Sequence, residues 1–485
     1  MKRANKANQA AEPVEGRGPA KGNVTRPTGP RTPSRTKCPS AGLEGVRAAA
    51  SRDKDLRLTA LLHHVDVDLL RVSYQALKPG AAPGVDNVTW AEYGTKLEAR
   101  LADLHGRVHR GAYRAKPSKR VRIPKPDGRD RPLGIASLED KIVQKAVATV
   151  LAQIYEVDFL GFSYGYRPGR SQHNALDALY VGLWQQRINW VLEADICGYF
   201  DTISHEWLMK FLEHRIGDPR VLRLIRKWLR AGVLEAGQWS KTTEGTPQGS
   251  VISPLLANVY LHYVFDLWAN QWRKQQATGD VIIVRYADDF VVGFQGRTEA
   301  ERFLHELRER FAKFGLKLHP EKTRLLEFGR YAAERRRRRG QGKPETFDFL
   351  GFTHYCGKAR KGGFSLKRRP MASRMRRKLK EIRAELRRRM HWSRSAQGEW
   401  LDSVVQGWMN YYAVPDTCPL VERFRTEVIK AWRRTLHRQS QNGHRKWTWN
   451  RMRRLADFWL PRARILHPYP TQRLIVSTQG RSRMR

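Results

Sequence analysis

Apolar positions follow two rhythms along the chain. Between Val281 and Phe294 the sequence VIIVRYADDFVVGF is two nearly unbroken apolar runs with a short polar break, as expected of a hairpin buried on both faces. WVLEAD (190–195) is a third such strand and ends in a carboxylate, and FDFLGF (347–352) is a fourth candidate. VRIPKPDGRDRPLGI (121–135) places two short runs around Pro-Asp-Gly, a hairpin signal. The second rhythm is helical. After a candidate cap at Ser137, apolar residues recur at Ile142, Val143, Ala146, Val147, Val150, Leu151 and Ile154.

Further helices are predicted by the same spacing. AAPGVDNVTWAEY (81–93) reads as a turn entering a helix, and another begins near Ser204 with Trp207, Leu208, Phe211 and Leu212 inward. Thr298 and Glu301 stand at capping-box spacing before Phe303, Leu304, Leu307 and Phe311, and Gly315 closes that helix. RRRRR (335–339) predicts an exposed loop, either a solvated charge block or a phosphate contact. Beyond it the character becomes helical. Met371, Met375, Leu379, Ile382, Leu386 and Met390 form one stripe, and Val421, Phe424, Val428, Trp432 and Leu436 form another, both amid many basic residues.

Strands alternating with helices make the middle of the chain α/β or α+β, and helices alone follow it. No repeat of solenoid period is present. Residues 1–55 lack apolar periodicity and are rich in Pro, Gly, Ala, Arg and Lys, the composition of a mobile basic tail. The expected division is therefore 1–55 tail, 56–350 mixed domain, 351–445 helical domain and 446–485 basic extension.

With 485 residues there is room for about two to four domains. Charge changes the picture most: 91 Lys and Arg against 47 Asp and Glu give +44, which calls for a large polyanionic partner. Nucleic acid fits better than a membrane surface, since no apolar anchor, lipidation signal or spanning run is present. The start, MKRANKANQAAEPVEG, lacks the apolar core of a secretory signal. The four cysteines (Cys38, Cys197, Cys356, Cys418) have no C-x-x-C spacing and read as free thiols. An intracellular, cytoplasmic, nucleic-acid-associated protein is expected.

Asp288 and Asp289 in the middle of an apolar hairpin are the first candidate chemistry. An Asp pair in a turn is usually there to bond its own backbone. With apolar flanks, however, two ionised carboxylates repel unless a cation pairs them. If the strand ending in Asp195 lies beside this hairpin, three carboxylates converge. Hard oxygen ligands without His or Cys select Mg²⁺ or Mn²⁺, and a pair of such ions can activate a hydroxyl and stabilise a departing pyrophosphate.

These residues do not stand alone. YADD (286–289) resembles the catalytic box of reverse transcriptases. RIPKPDGRDRPLGI (122–135), ADICGYFDTISHEWL (194–208), GTPQGSVISPLLANVYL (245–261), LHPEKTRLL (318–326) and FDFLGF (347–352) follow in that family's order. The resemblance covers roughly residues 56 to 440, and its nearest form is the group II intron-encoded reverse transcriptase and maturase. GWMNYYAV (407–414) resembles the signature of that family's thumb, or X, domain. The implied fold is a right-hand polymerase, with fingers and an antiparallel palm, followed by an α-helical thumb.

The resemblance implies that Asp195, Asp288 and Asp289 bind two Mg²⁺ ions (Mn²⁺ as the alternative), with Ile196 lending a backbone carbonyl. Lys125 and Arg131 would grip the incoming dNTP, facing each other across a short hairpin loop; an ordinary exposed basic hairpin is the plain alternative. Phe200 resembles the aromatic gate against a ribose 2′-hydroxyl, with Tyr199 as the fallback. Gln248 and Gly249 match positions lining the nucleotide pocket, and Lys322 is a candidate proton donor to the triphosphate or a plain surface lysine. Relatives often carry a basic residue where Cys197 stands, so one nucleic-acid contact is expected to be missing.

The implied function is RNA-directed DNA polymerisation together with maturase action on the group II intron RNA. The partners would be an RNA template with a DNA primer, target DNA and dNTPs, and mobility would proceed by target-primed reverse transcription. No paired cysteines after Ser440 suggest the endonuclease that many relatives carry; HRQSQNGH (437–444) is too compact for one, so another primer source is expected. The competing readings are a maturase without polymerase activity and a host-defence or diversity-generating reverse transcriptase without an intron.

Overall fold

The computed structural model describes residues 41–470 apart from 125–129, 236 and 360–361. Its strands are β1 (Ser118–Pro124), β2 (Asp130–Ile135), β3 (Trp190–Asp195), β4 (Val233–Glu235), β5 (Gln238–Ser240), β6 (Val281–Tyr286), β7 (Asp289–Phe294), β8 (Arg324–Glu327), β9 (Phe347–Phe349), β10 (Phe352–Lys358) and β11 (Phe364–Pro370). They form three sheets, with orders β6-β7-β3-β8, β2-β1-β4-β5 and β11-β10-β9.

The central sheet is antiparallel throughout. Its strands are apolar at consecutive positions because both faces are covered. Leu192, Phe290, Val292 and Phe294 pack with the helices Leu138–Asp158, Ser253–Leu261 and Arg297–Lys313. The alternate positions, Val191, Val284 and Val291, belong to a second core with the helix Gln172–Gln185. Period-two alternation thus sends successive side chains into two different cores. That second core continues into the C-terminal helices Ala372–Arg388, Arg394–Tyr412 and Cys418–Arg438, where Leu379, Ile382, Leu386 and Val421, Phe424, Val428, Trp432, Leu436 are buried on the predicted stripes. Met371, Met375 and Met390 flank the first stripe half-buried.

Several local expectations change. Within the stretch read as a tail, Ala41–Arg52 is a helix that buries Leu43, Val46 and Ala50. Arg335–Arg338 close the helix Ala332–Arg338 rather than a loop; arginine is a good helix former, and Glu334 pairs with Arg338 at 2.5 Å. The helix Arg297–Lys313 is preceded by Gly296 without a side-chain cap. Ser137 and Ser204 do cap their helices, accepting from the Asp140 and Trp207 amides. Among the described residues no helix is long and apolar enough to cross a membrane. Cys197, Cys356 and Cys418 are unpaired thiols.

Candidate active site

β3 and β7 run antiparallel with Asp195 directly opposite Asp289, and β6 pairs with β7 so that Tyr286 faces Asp289. Opposed residues on neighbouring strands carry their Cβ atoms roughly 5 Å apart, so like charges there destabilise the sheet unless something compensates. Asp288 occupies the two-residue turn with Ala287, whose φ is +58°. That left-handed turn is held by its surroundings. Arg285 donates from Nη1 to the Ala287 carbonyl at 2.9 Å. Gly165 lies so close that a Cβ on it would come within 2.3 Å of the Ala287 nitrogen.

Arg285 is fully buried. Its Nε and Nη2 reach the two oxygens of the equally buried Asp266 at 2.7 and 2.5 Å, and it also donates to Asn258 Oδ1 at 3.1 Å and Ser163 Oγ at 2.7 Å. Asp266 ends a single π-helical turn, His262–Asp266, set between two α-helices. Neither residue was singled out from the sequence, although an arginine inside VIIVRY is a visible anomaly: a charge in a strand this apolar needs a buried partner.

The carboxylates influence one another. Asp289 is pushed well above the ordinary carboxylate range, first by its removal from water and then by the charges of Asp195, Asp288 and Glu193, with Lys322 acting in the opposite sense. Lys322 Nζ lies 2.5 Å from Asp195 Oδ2. The segment bearing it is stitched to the end of β3: the His319 amide donates to the Asp195 carbonyl at 2.8 Å, and Ile196 bridges to Leu318. Glu193 is tied to Arg324 Nη2 at 2.6 Å. A cleft of about 460 Å³ opens here, lined by Glu193, Asp195, Asp289, Lys322 and Arg324 together with Asp348–Gly351, Met371 and Arg374.

Among the described residues no three acidic, His or Cys side chains already stand at metal-ligating distance. The donor set nevertheless suits a hard divalent cation. It is all carboxylate, and the repulsion that raises Asp289 is what such a cation relieves.

Phe200 lies in the short helix Tyr199–Thr202, 8% exposed, with its ring edge-on to Tyr166 at 6.4 Å. Tyr199, the fallback for the gate, is buried and its hydroxyl donates to the Ala257 carbonyl at 2.6 Å. The Gln248–Gly249 loop locks onto β2, since the Gly134 amide donates to the Gln248 carbonyl at 2.6 Å. Gly249 has φ +107°, and a Cβ on it would sit 2.8 Å from the Gly134 oxygen. The Gln248 side chain reaches Asp201 Oδ2 at 3.4 Å, linking this loop to the Phe200 helix. In the β1–β2 register Arg131 opposes Ile123, and Pro124 opposes Asp130; Lys125 lies outside the described residues.

The antiparallel sheet thus sets two carboxylates face to face beside a cleft lined by both acidic and basic side chains, an arrangement that fits a nucleotidyl-transferring polymerase. The sequence model of the reverse transcriptase (RNA-dependent DNA polymerase) family matches residues 123–354, and with it comes the right-hand polymerase fold. The chain is 34% identical to Protein YkfC of Escherichia coli over 57% of this chain and 81% of that protein. It is 39% identical to the group II intron-encoded protein LtrA of Lactococcus lactis over 40% of this chain and 32% of LtrA. It is also 30% identical to the putative COX1/OXI3 intron 1 protein of Saccharomyces cerevisiae, over 53% and 36%. The chain therefore spans most of the first relative and about a third of the two intron proteins. It belongs to the group II intron reverse transcriptase and maturase family.

Proposed function

We propose that the protein is an RNA-directed DNA polymerase encoded by a group II intron. It extends a DNA primer on an RNA template with dNTPs, and it also binds the intron RNA as a maturase. The observation that carries this reading is the register of the central sheet: two carboxylates face each other across neighbouring strands, with a third in the adjoining turn, at the mouth of a cleft.

In this reading Asp195, Asp288 and Asp289, with the Ile196 carbonyl, hold two Mg²⁺ ions. When bound, the metal supplies charge neutralisation at the attacking 3′-oxygen and the leaving pyrophosphate. The chain's own residues orient the reactants. Lys322 leaves Asp195 and turns its ammonium toward the triphosphate. Arg131 and Lys125 grip that triphosphate from the fingers hairpin. Phe200 blocks the space of a 2′-hydroxyl, with the Gln248–Gly249 loop backing it. The helices after Met371 form the thumb, or X, domain, whose exposed Arg and Lys side chains track phosphates while Trp408 and Tyr412 pack inside. Target DNA is reached by target-primed reverse transcription.

The test is primer extension on an RNA template in Mg²⁺. Asp288→Ala is expected to abolish extension while leaving RNA affinity within about threefold, because it removes a carboxylate rather than a phosphate contact. Extension that persists in this variant refutes the site.

A further inference from the structure

Three contacts from the helical region converge on one two-residue turn. β9 and β10 are joined by Leu350 and Gly351, both left-handed, with φ +47° and +82°. The hydroxyl of Tyr411, near the end of the helix Arg394–Tyr412, donates to the Leu350 carbonyl at 2.6 Å. The Met371 amide donates to the Gly351 carbonyl at 3.0 Å. A Cβ on Gly351 would meet Arg374 Nη1 at 2.8 Å and the Tyr412 hydroxyl oxygen at 3.1 Å, so that side of the turn is filled as well.

Such turns favour Gly or Asn because both positions need φ > 0, and a leucine there is held by its surroundings rather than by its own preference. The turn also lines the cleft that holds Asp195, Asp289 and Lys322. Anything that seats in the cleft next to the carboxylates therefore meets a surface whose position depends on Tyr411. The ring of Tyr411 has separate packing, stacked on Phe352 at 5.8 Å and edge-on to Tyr412 at 4.8 Å. Its oxygen and its ring thus have different tasks.

We propose that Tyr411 is a positioning residue for primer extension. Through the Leu350 carbonyl its hydroxyl fixes the cleft wall against which the nucleic acid rests beside Asp195 and Asp289. This rests on the polymerase reading above.

The experiment uses the full chain, a DNA primer on an RNA template, and saturating dNTPs. Tyr411→Phe retains the ring contacts and deletes one O–H. The expected result is a fall in kcat of about tenfold, with the dNTP KM changed less than twofold and the melting temperature close to that of the wild type. Leu350→Gly supplies the diagnostic background, because a glycine adopts the left-handed conformation unaided. There, Tyr411→Phe is expected to lower kcat less than about threefold. Unchanged kcat in Tyr411→Phe overturns the inference. So does an equal loss in both backgrounds accompanied by a lower melting temperature, the signature of a merely structural contact. Wild-type protein that cannot extend a primer overturns the polymerase reading and this inference together, whereas an active wild type with an equally active Tyr411→Phe overturns the inference alone.

Discussion

Asp266→Ala tests how the acidic turn is held. In the wild type the Arg285 guanidinium, fully buried, gives two bonds to Asp266 and one to the Ala287 carbonyl in the turn that carries Asp288. Removing Asp266 leaves an uncompensated interior charge, which costs about 3–5 kcal/mol. Set against a typical total of about 5–15 kcal/mol, that loss is large, and urea titration followed by tryptophan fluorescence should show it. The informative variant removes both charges. Asp266→Leu with Arg285→Met takes away the desolvation penalty of the pair, and at least half of the lost stability should return. Full recovery is not expected, because Ala287, Asn258 and Ser163 lose a shared donor, at about 1–3 kcal/mol for each group left unsatisfied in the interior. Primer extension by the double variant should remain depressed by at least about tenfold, since a displacement of about 1 Å at a reacting group costs on the order of a hundredfold. A double variant that is stable and fully active would show that Arg285 does not hold the turn. An Asp266→Ala protein as stable as the wild type would show that the pair is not buried as described.

Two further outcomes follow from particular side chains. His354 is buried against Phe347, and burial, followed by the charge of Arg368, lowers its pKa from 6.5 to about 3. The unfolded chain therefore takes up a proton below pH 6.5 that the folded chain does not. The associated stability is complete above that pH and is lost as pH falls toward 3; roughly 2 kcal/mol should go between pH 8 and pH 5. His354→Phe should reduce the stability difference between those two pH values by about that amount, and an unaltered difference would contradict the assignment. At the gate, Phe200→Ala should admit ribonucleotides; if sugar selectivity in single-nucleotide incorporation is unchanged, Phe200 is not the gate.

Much of the fold was visible in the sequence, for reasons that can be named. The buried strands β3, β6 and β7 announce themselves as apolar runs because the two cores leave no solvent face to require polar residues. Ser137 could be read as a cap, and a helix start placed near Ser204, because the cap bond is local. Thr298 does not cap its helix, because the helix already starts at Arg297 and Glu301, the expected partner in the box, pairs with Arg297 at 2.8 Å. The hairpin signal at 121–135 marked two strands but left open their register, in which Arg131 opposes Ile123. The proximity of Asp195 to Asp289 was an inference from motif order that the β3–β7 register matches. Arg285–Asp266 and Tyr411–Leu350 were not legible, since each is a contact between elements whose packing no periodicity encodes.

The central sheet has no outer surface of its own. Val191, Val284, Val291 and Leu326 lie in the same hydrophobic mass as Leu379, Trp408 and Trp432, so the wall behind the acidic edge is built from the final third of the chain. The boundary at 350/351 suggested by composition cuts through the tight turn between β9 and β10. Synthesis that stopped there would leave an oily slab facing water. The sheet and the helices after it therefore share one hydrophobic core, and either part inherited without the other requires a substitute cover for that face.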